Sequence, residues 1–174
     1  MNFDEITNKL EHAFDVTQIP KQDTCILWAN LSSGLLWNST REKFAYPLYG
    51  TLIFENKQTK ETGRYDTSND SFHMATLYYS NSVWYLLDFS TNYLTSDNYN
   101  MVSLHDYPIQ IEVPELVNVN AREKDKIENA LKLIPKISIE TNEYSYCFVP
   151  ESVYRVPNDT NSFELDILEN VLYG

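Results

Sequence analysis

Two aromatic-rich runs separated by a short polar segment constrain the fold of this chain more than any other feature. Residues 72–79 read Phe-His-Met-Ala-Thr-Leu-Tyr-Tyr, and residues 83–89 read Val-Trp-Tyr-Leu-Leu-Asp-Phe. Aromatic and β-branched residues favour strands, and the intervening Ser-Asn-Ser is typical of a turn. Both faces of the second run carry large apolar side chains, so both faces should be covered. The pattern predicts a β-hairpin near the centre of a sheet.

Apolar residues also recur at helical spacing near both ends of the chain and once between them. This spacing predicts helices over residues 3–14, 121–134 and 162–173. Further short β-prone runs predict strands at 24–30, 44–46, 49–55, 109–113, 137–140, 144–149 and 152–156, with an ordered loop region at 90–108. No repeat or linker divides the chain. We therefore predict a single α+β domain over residues 1–174 with a mainly antiparallel sheet.

Composition argues against several classes of protein. The chain has only four glycines, and they lie too far apart to form a dinucleotide-binding fingerprint or a P-loop. No stretch approaches the length of apolar residues that a membrane span needs, and the first residues show no basic leader followed by an apolar run. The sequence also lacks an HExxH motif, a histidine cluster and a calcium-loop pattern. We expect a cytoplasmic protein with no membrane span, no metal and no cofactor.

The charge of the chain is strongly negative and unevenly distributed. The formal net charge is −12, so we expect no direct binding to nucleic acid and an attraction to basic proteins. No Lys or Arg occurs between Arg64 and Arg122, a stretch rich in Asp, Glu and Tyr. A strand-rich segment can simply use few charges, but the same composition suits a docking surface for a basic partner. The candidate partner-binding residues, here called the acidic tyrosine patch, are Tyr93, Asp97, Tyr99, Asp106, Tyr107, Glu112 and Glu115.

Nucleophilic chemistry is not signalled by any local motif. The two cysteines, Cys25 and Cys147, lie outside CxxC pairs and in apolar, strand-like stretches, where a free cysteine usually packs as a small apolar residue. His105 and Asp106 are adjacent, but neighbours in an extended chain point in opposite directions. The segment Ser-Ser-Gly at 32–34 lacks the GxSxG frame of a nucleophile elbow. The sequence therefore predicts no catalytic residues and a protein that is not an enzyme.

The overall character of the chain resembles that of bacterial immunity proteins, which neutralise polymorphic or contact-dependent-inhibition toxins. The resemblance rests on the acidic, glycine-poor α+β character and on a tyrosine-rich centre without basic residues, such as Thr76–Tyr79 and Val83–Phe89. It implies a cytosolic inhibitor that binds and blocks a basic toxin domain, such as a nuclease. Carboxylates of the acidic tyrosine patch would then occupy a cationic site built for phosphate.

Three alternatives remain open at this point. A phage-encoded inhibitor of a host defence nuclease would show the same acidity. A small enzyme could use Cys25 or Cys147 with His73 or His105, because only the fold decides whether a thiol and an imidazole meet. A structural subunit could use its aromatic face for self-association.

Overall fold

The protein is an α+β domain built on a mainly antiparallel sheet, as predicted. A computed structural model describes residues 2–39, 44–153 and 162–174. The helices in these ranges are α1 (Phe3–Thr17), α2 (Cys25–Ser39), α3 (Lys124–Leu131) and α4 (Ser162–Tyr173). The strands are β1 (Phe44–Asn56), β2 (Glu61–Tyr65), β3 (His73–Ser80), β4 (Val83–Asp88), β5 (Leu94–Thr95), β6 (Met101–Val102), β7 (Ile109–Glu112), β8 (Ile137–Glu140) and β9 (Tyr144–Val153).

The predicted hairpin lies inside the main sheet. The strand order is β7-β4-β3-β1-β9-β8, with β2 paired to the second half of β1. In the hairpin, Leu77 pairs with Leu86, and both side chains are fully buried. Helices α1, α2 and α4 cover one face of β3 and β4, while α3 and the segments around β5 and β6 contribute to a second core on the other face. Both faces of the hairpin are therefore covered, as its apolar pattern predicted.

The prediction of a strand at residues 24–30 is wrong, because this segment begins helix α2. Apolar residues are spread around α2 and are not confined to one face, so the periodicity of a half-exposed helix is absent from its sequence. Leu27, Trp28, Leu31 and Leu36 are buried between the sheet and the neighbouring helices. The correction changes the setting of Cys25, which is the first residue of a helix rather than part of a strand.

The remaining differences concern the ends and continuity of elements. The two strands predicted at 44–46 and 49–55 form one strand, β1, and β2 was not predicted. The region 90–108 contains the small β5–β6 hairpin rather than loop alone. Helix α3 is shorter than the predicted 121–134, because turns flank it on both sides. The strand predicted at 152–156 is the end of β9 as far as Val153, and residues 154–156 lie outside the described residues.

The topology brings three chain segments together at one end of the hairpin. The pairing of Thr76 with Leu87 places the beginning of β3 beside the end of β4. Ser32 of α2 contacts Thr76 through a 2.7 Å hydrogen bond between buried hydroxyl groups, which holds the helix on β3. The Sγ atom of Cys25, the first residue of α2, lies 3.9 Å from the carbonyl oxygen of Phe72, so the N-terminus of α2 lies at the same end as His73 and Asp88. In the part of the chain that the structure describes, no helix has the length and apolar character needed to span a membrane.

Candidate active site

A buried histidine–carboxylate pair lies where β3 begins and β4 ends. The Nε2 atom of His73 is 2.6 Å from Oδ2 of Asp88, and the side chains are each 1% exposed. A buried charge is stable only if it is paired and hydrogen-bonded. The two residues therefore form an ion pair that the fold isolates from water.

The carboxylate of Asp88 is held in place by three further hydrogen bonds. Oδ1 accepts from the backbone N–H of Ser90 at 3.0 Å and from its hydroxyl at 2.8 Å. Oδ2 accepts from the phenol of Tyr146 at 2.8 Å, across the sheet on β9. With His73, Asp88 thus has four hydrogen-bond donors, which fix its orientation towards the imidazole.

The two members of this pair shift each other's pKa in opposite directions. Burial alone lowers the pKa of His73, but the charge and hydrogen bond of Asp88, with a smaller contribution from Cys25, outweigh it and raise the pKa to about 10. Burial alone raises the pKa of Asp88, but His73, Ser90 and Tyr146 outweigh it and lower the pKa below its usual range. At neutral pH the imidazole is therefore cationic and the carboxylate is anionic.

Cys25 lies next to this pair at the beginning of helix α2. Its Sγ is 3.9 Å from the carbonyl oxygen of Phe72, the residue that precedes His73. The Nδ1 atom of His73 is buried and forms no hydrogen bond of standard geometry within the described residues, although the Cys25 thiol is near enough to raise the pKa of the imidazole. Since Nε2 is hydrogen-bonded to Asp88, Nδ1 is the ring nitrogen that can interact with the thiol.

Local contacts before α2 fix the position of Cys25. The hydroxyl of Thr24 donates to the carbonyl oxygens of Pro20 and Lys21, and the indole N–H of Trp28 donates to the same Lys21 carbonyl. The carbonyl of Thr24 accepts the first helical hydrogen bonds, from Leu27 at 2.9 Å and Trp28 at 3.2 Å. Cys25 therefore sits in the first turn, where the helix dipole favours negative charge.

A cleft of about 360 Å³ opens beside the thiol and the imidazole. Cys25 and His73 both line it, and aromatic side chains of Tyr65, Phe72 and Tyr93 contribute to its walls. Cys25 is partly exposed, so a ligand in the cleft can reach its sulfur. The arrangement combines an accessible thiol, a cationic imidazole and an orienting carboxylate, which are the components of a Cys–His–Asp nucleophilic triad.

The acidic tyrosine patch is largely exposed but lies on three separate segments. Asp97 and Tyr99 are in the turn between β5 and β6, and the side chain of Tyr99 is 88% exposed. Asp106 and Tyr107 precede the edge strand β7, whereas Glu112 ends β7 and Glu115 follows it; all four are exposed. Among the described residues, these four carboxylates form no ion pair with a basic side chain.

Tyr93 is separate from the rest of the patch. Its ring stacks on Trp28 at 5.3 Å between centroids, and its hydroxyl donates to Glu11 at 2.7 Å. It is partly buried and lines the cleft beside Cys25. The structure therefore connects Tyr93 with the thiol site, which the sequence interpretation did not.

The other cysteine and histidines stand apart from this site. Cys147 lies on β9 and pairs with Ile53, and His12 is exposed on α1. Nδ1 of His105 is 3.1 Å from the backbone nitrogen of Tyr107, in a separate polar depression. Within the described residues, no group of three or more His, Cys, Asp or Glu side chains is arranged to hold a metal ion.

Sequence reasoning named Cys25 and His73 only as one of several possible pairs and did not connect Asp88 to them. The predicted hairpin could have indicated that His73 and Asp88 are close together, because its first strand begins at His73 and its second strand ends at Asp88. Comparison with protein-family models, curated proteins and solved structures finds no match for this chain. The functional argument therefore depends on the geometry of the site.

Proposed function

We propose that this protein is a cysteine-dependent acyl-transfer enzyme that hydrolyses an ester, thioester or amide through a thioester on Cys25. The observation that carries the proposal is the buried His73–Asp88 pair, whose free ring nitrogen lies beside an accessible thiol at a helix N-terminus. A purely structural ion pair needs neither a reactive side chain nor a cleft. Strongly shifted pKa values beside a cleft are typical of active sites.

In the first step, the Cys25 thiolate attacks the carbonyl carbon of the substrate. A carbon–sulfur bond forms, the bond to the leaving amine, alcohol or thiol breaks, and His73 gives its Nδ1 proton to the leaving group. The products are an acyl-enzyme thioester, the protonated leaving group and a neutral imidazole.

In the second step, water in the cleft attacks the thioester carbonyl. Neutral His73 accepts a proton from this water at Nδ1 as the carbon–oxygen bond forms. The carbon–sulfur bond then breaks, which releases the carboxylic acid and restores the thiolate and the imidazolium. Another acceptor, such as an amine, would replace water in a transfer reaction.

Asp88 and the first turn of α2 support both steps. Asp88 orients the imidazole through Nε2, and its negative charge stabilises the imidazolium. Backbone amides in the first turn of a helix lack carbonyl partners within that helix. The amides of Cys25 and Ile26 precede the first helical donor, Leu27, and both residues line the cleft. We assign these amides the role of stabilising the oxyanion that forms on the substrate.

The proposal is tested by hydrolysis of p-nitrophenyl acetate, an activated ester that needs no specific recognition. C25S should reduce turnover to the uncatalysed background, because a serine hydroxyl is a far weaker nucleophile with this partner. C147S is the matched control, and its turnover should stay within about twofold of wild type, since Cys147 lies away from the cleft. Equal turnover in wild type and C25S, with both proteins folded, would reject the proposal.

A second candidate function follows from the exposed acidic tyrosine patch. Tyr99 and Tyr107 are 88% and 58% exposed, which is unusual for large aromatic side chains, and the neighbouring carboxylates lack basic partners among the described residues. These features support the docking of a basic protein, such as the toxin domain that the resemblance to immunity proteins implies. Aromatic anchors and acidic steering would then provide affinity and association rate.

Two variants distinguish the two candidate functions experimentally. Reversal of Asp97, Asp106, Glu112 and Glu115 to Lys should slow association with a basic partner encoded by a neighbouring gene, and high salt should weaken the wild-type complex. The same reversal should leave p-nitrophenyl acetate turnover within about twofold of wild type, because none of these four carboxylates lines the cleft. C25S should instead abolish turnover of p-nitrophenyl acetate and leave association with the basic partner unchanged.

A further inference from the structure

Three charged side chains line the cleft in addition to His73, and their balance is negative. Lys21 is neutralised locally, since its Nζ lies 2.7 Å from Oδ1 of Asp15 and 5.7 Å from the ring centroid of Tyr93. Asp23 and Asp70 line the same cleft, are exposed, and form no ion pair with a basic side chain among the described residues. The mouth of the cleft therefore carries two carboxylates that have no basic partner among the described residues.

The carboxylate of Asp23 is held in place by two donors. Its Oδ1 accepts from the phenol of Tyr65 at 3.2 Å and from the hydroxyl of Thr95 at 2.8 Å. Both contacts involve the same oxygen, so Oδ2 remains available to a ligand. Asp23 adopts a left-handed backbone conformation with φ 59°, which Asp tolerates better than most residues. The side chain is thus fixed by local structure.

Aromatic rings form the walls between these carboxylates and the reactive groups. Tyr65 lies 5.6 Å from the His73 ring, Phe72 packs on Tyr49 at 5.1 Å, and Tyr93 stacks on Trp28. Aromatic faces attract cations, most strongly where water is partly excluded. Carboxylates at the mouth and aromatic walls favour the same kind of ligand.

The imidazole of His73 provides a second feature of this cleft, separate from the carboxylates and the aromatic walls. His73 is 1% exposed and is one of the residues that line the cleft, and its Nδ1 atom has no hydrogen bond of standard geometry among the described residues. A buried polar nitrogen without a partner costs free energy, and a substrate leaving group at this position would satisfy it. Since the imidazole is cationic at neutral pH, its Nδ1–H is a hydrogen-bond donor that an incoming molecule could use.

We propose that the cleft selects acyl substrates that carry a positive charge, such as a lysine or other amine side chain, close to the scissile carbonyl. This proposal depends on the proposed function, because it concerns the substrate of the same thiol. Asp23 and Asp70 attract the cation, and the aromatic walls hold its alkyl stem and charge. The net charge of −12 adds long-range attraction for such substrates.

The charge preference is measured directly at Cys25 with methanethiosulfonate reagents in a C147S background. The thiolate attacks the sulfenyl sulfur, a mixed disulfide forms, and methanesulfinate leaves. We compare the rates of the ethyltrimethylammonium, ethylsulfonate and uncharged methyl reagents. For the protein, we divide the rate with the cationic reagent by the rate with the anionic reagent, and we then divide this ratio by the same ratio for 2-mercaptoethanol. This normalised ratio should be about ten or more, because two nearby negative charges attract the cationic reagent and repel the anionic one.

Two double variants show whether the cleft residues cause this preference. D23N/D70N removes both carboxylates with little change of shape and should lower the normalised ratio about tenfold. D97N/D106N removes the same amount of charge from the acidic tyrosine patch and should leave the ratio within about twofold. High salt should reduce the wild-type ratio towards one, because it screens exposed charges.

A substrate pair extends the test to catalysis. The p-nitrophenyl ester of Nα-acetyl-lysine should have a kcat/KM about tenfold higher than that of Nα-acetyl-norleucine in wild type, and D23N/D70N should abolish the difference. If the normalised ratio is near one but the uncharged reagent reacts fast, the proposed charge preference is wrong, while Cys25 is still a reactive nucleophile as the proposed function requires. Slow reaction of the uncharged reagent, no faster than that of 2-mercaptoethanol, would instead contradict the proposed function.

Discussion

The imidazole of His73 and the carboxylate of Asp88 are 2.6 Å apart, and each of the two side chains is 1% exposed. The two residues lie at the end of one β-hairpin that is opposite its turn. Tyr146, on another strand of the sheet, also donates a hydrogen bond to the carboxylate. Burying two charges is costly, and apolar residues of similar size often give equal or greater stability. The proposed function would account for the presence of the pair, because it uses the imidazole together with the neighbouring thiol of Cys25.

The stability of the protein should depend on pH through this pair. The pKa of His73 rises from 6.5 in the unfolded chain to about 10 in the folded protein, so its contribution is complete below about 6.5 and is lost as pH rises through about 10. The pKa of Asp88 is lowered from 3.8, so its contribution is present above that value and is lost as pH falls below it. The pair should therefore stabilise the fold most between these two unfolded-state values.

Urea unfolding of wild type and H73Q/D88N checks this expectation. The double variant replaces both ionisable side chains with neutral amides, so the pH dependence of the difference in the free energy of unfolding reports the titration of the pair. This difference should be largest, in favour of wild type, near about pH 5 to 6 and should shrink steadily towards about pH 10. A difference that stays constant over the alkaline range would show that His73 is not cationic in the folded protein.

Tyr146 is expected to act as a positioning residue for Asp88. Y146F removes one hydrogen bond to a buried carboxylate, which costs about 1.5–3 kcal/mol of stabilisation. Because Tyr146 helps to lower the pKa of Asp88, its loss should move the acidic limb of the pH–rate profile to higher pH. Turnover of p-nitrophenyl acetate at neutral pH should fall about tenfold.

The pH profile separates this role from a general loss of stability. Y144F is the matched control, since Tyr144 is a buried tyrosine of the same strand that does not contact Asp88. Its pH–rate profile should keep the wild-type acidic limb. If Y146F and Y144F show the same profile, the hydrogen bond to Asp88 has no part in the reaction.

Gly50 should be required for the pairing of β1 with β9. The register between these strands shifts between Tyr49 and Gly50, and a Cβ at Gly50 would lie only 2.2 Å from the carbonyl oxygen of Val149. Backbone atoms cannot move aside as a flexible side chain can, so G50A should destabilise the protein by about 2–3 kcal/mol. Thermal or urea unfolding measures this change.

G34A provides the comparison for Gly50. A Cβ at Gly34 would meet the hydroxyl of Tyr173 at 2.9 Å, which is the movable end of a side chain. Alanine also favours the helical backbone of α2 by up to about 1 kcal/mol relative to glycine. G34A should therefore have a free energy of unfolding within about 1 kcal/mol of wild type, and a loss as large as that of G50A would contradict the steric argument.

The sequence predicted the fold class and several elements because their patterns are local. The helix at 162–173 and the hairpin at 72–89 are both found, since each carries a clear periodicity and a defined boundary. Helix α2 was predicted as a strand because its apolar residues are not confined to one face, and an apolar run of a few residues does not distinguish a buried strand from a buried helix.

The candidate site could not be predicted in the same way. Cys25, His73 and Asp88 are far apart along the chain, and only the packing of α2 on the hairpin brings the thiol to the imidazole. The register of the hairpin would have placed His73 beside Asp88, but no local pattern shows that the side chains face each other. Exposure was expected for the patch members in the loop-like region 90–108, and this holds for Asp97, Tyr99, Asp106 and Tyr107 but not for Tyr93, which is partly buried.

The central claim is that Cys25 is the nucleophile, and mapping of the acylated residue tests it most directly. Wild type and C147S are mixed with p-nitrophenyl acetate, quenched in acid within the first turnover, digested, and analysed by mass spectrometry. We expect an acetyl thioester on the peptide that contains Cys25 in both proteins and none in C25S. Acetylation of Cys147 or of lysines alone, or equal acetylation in C25S, would contradict the account.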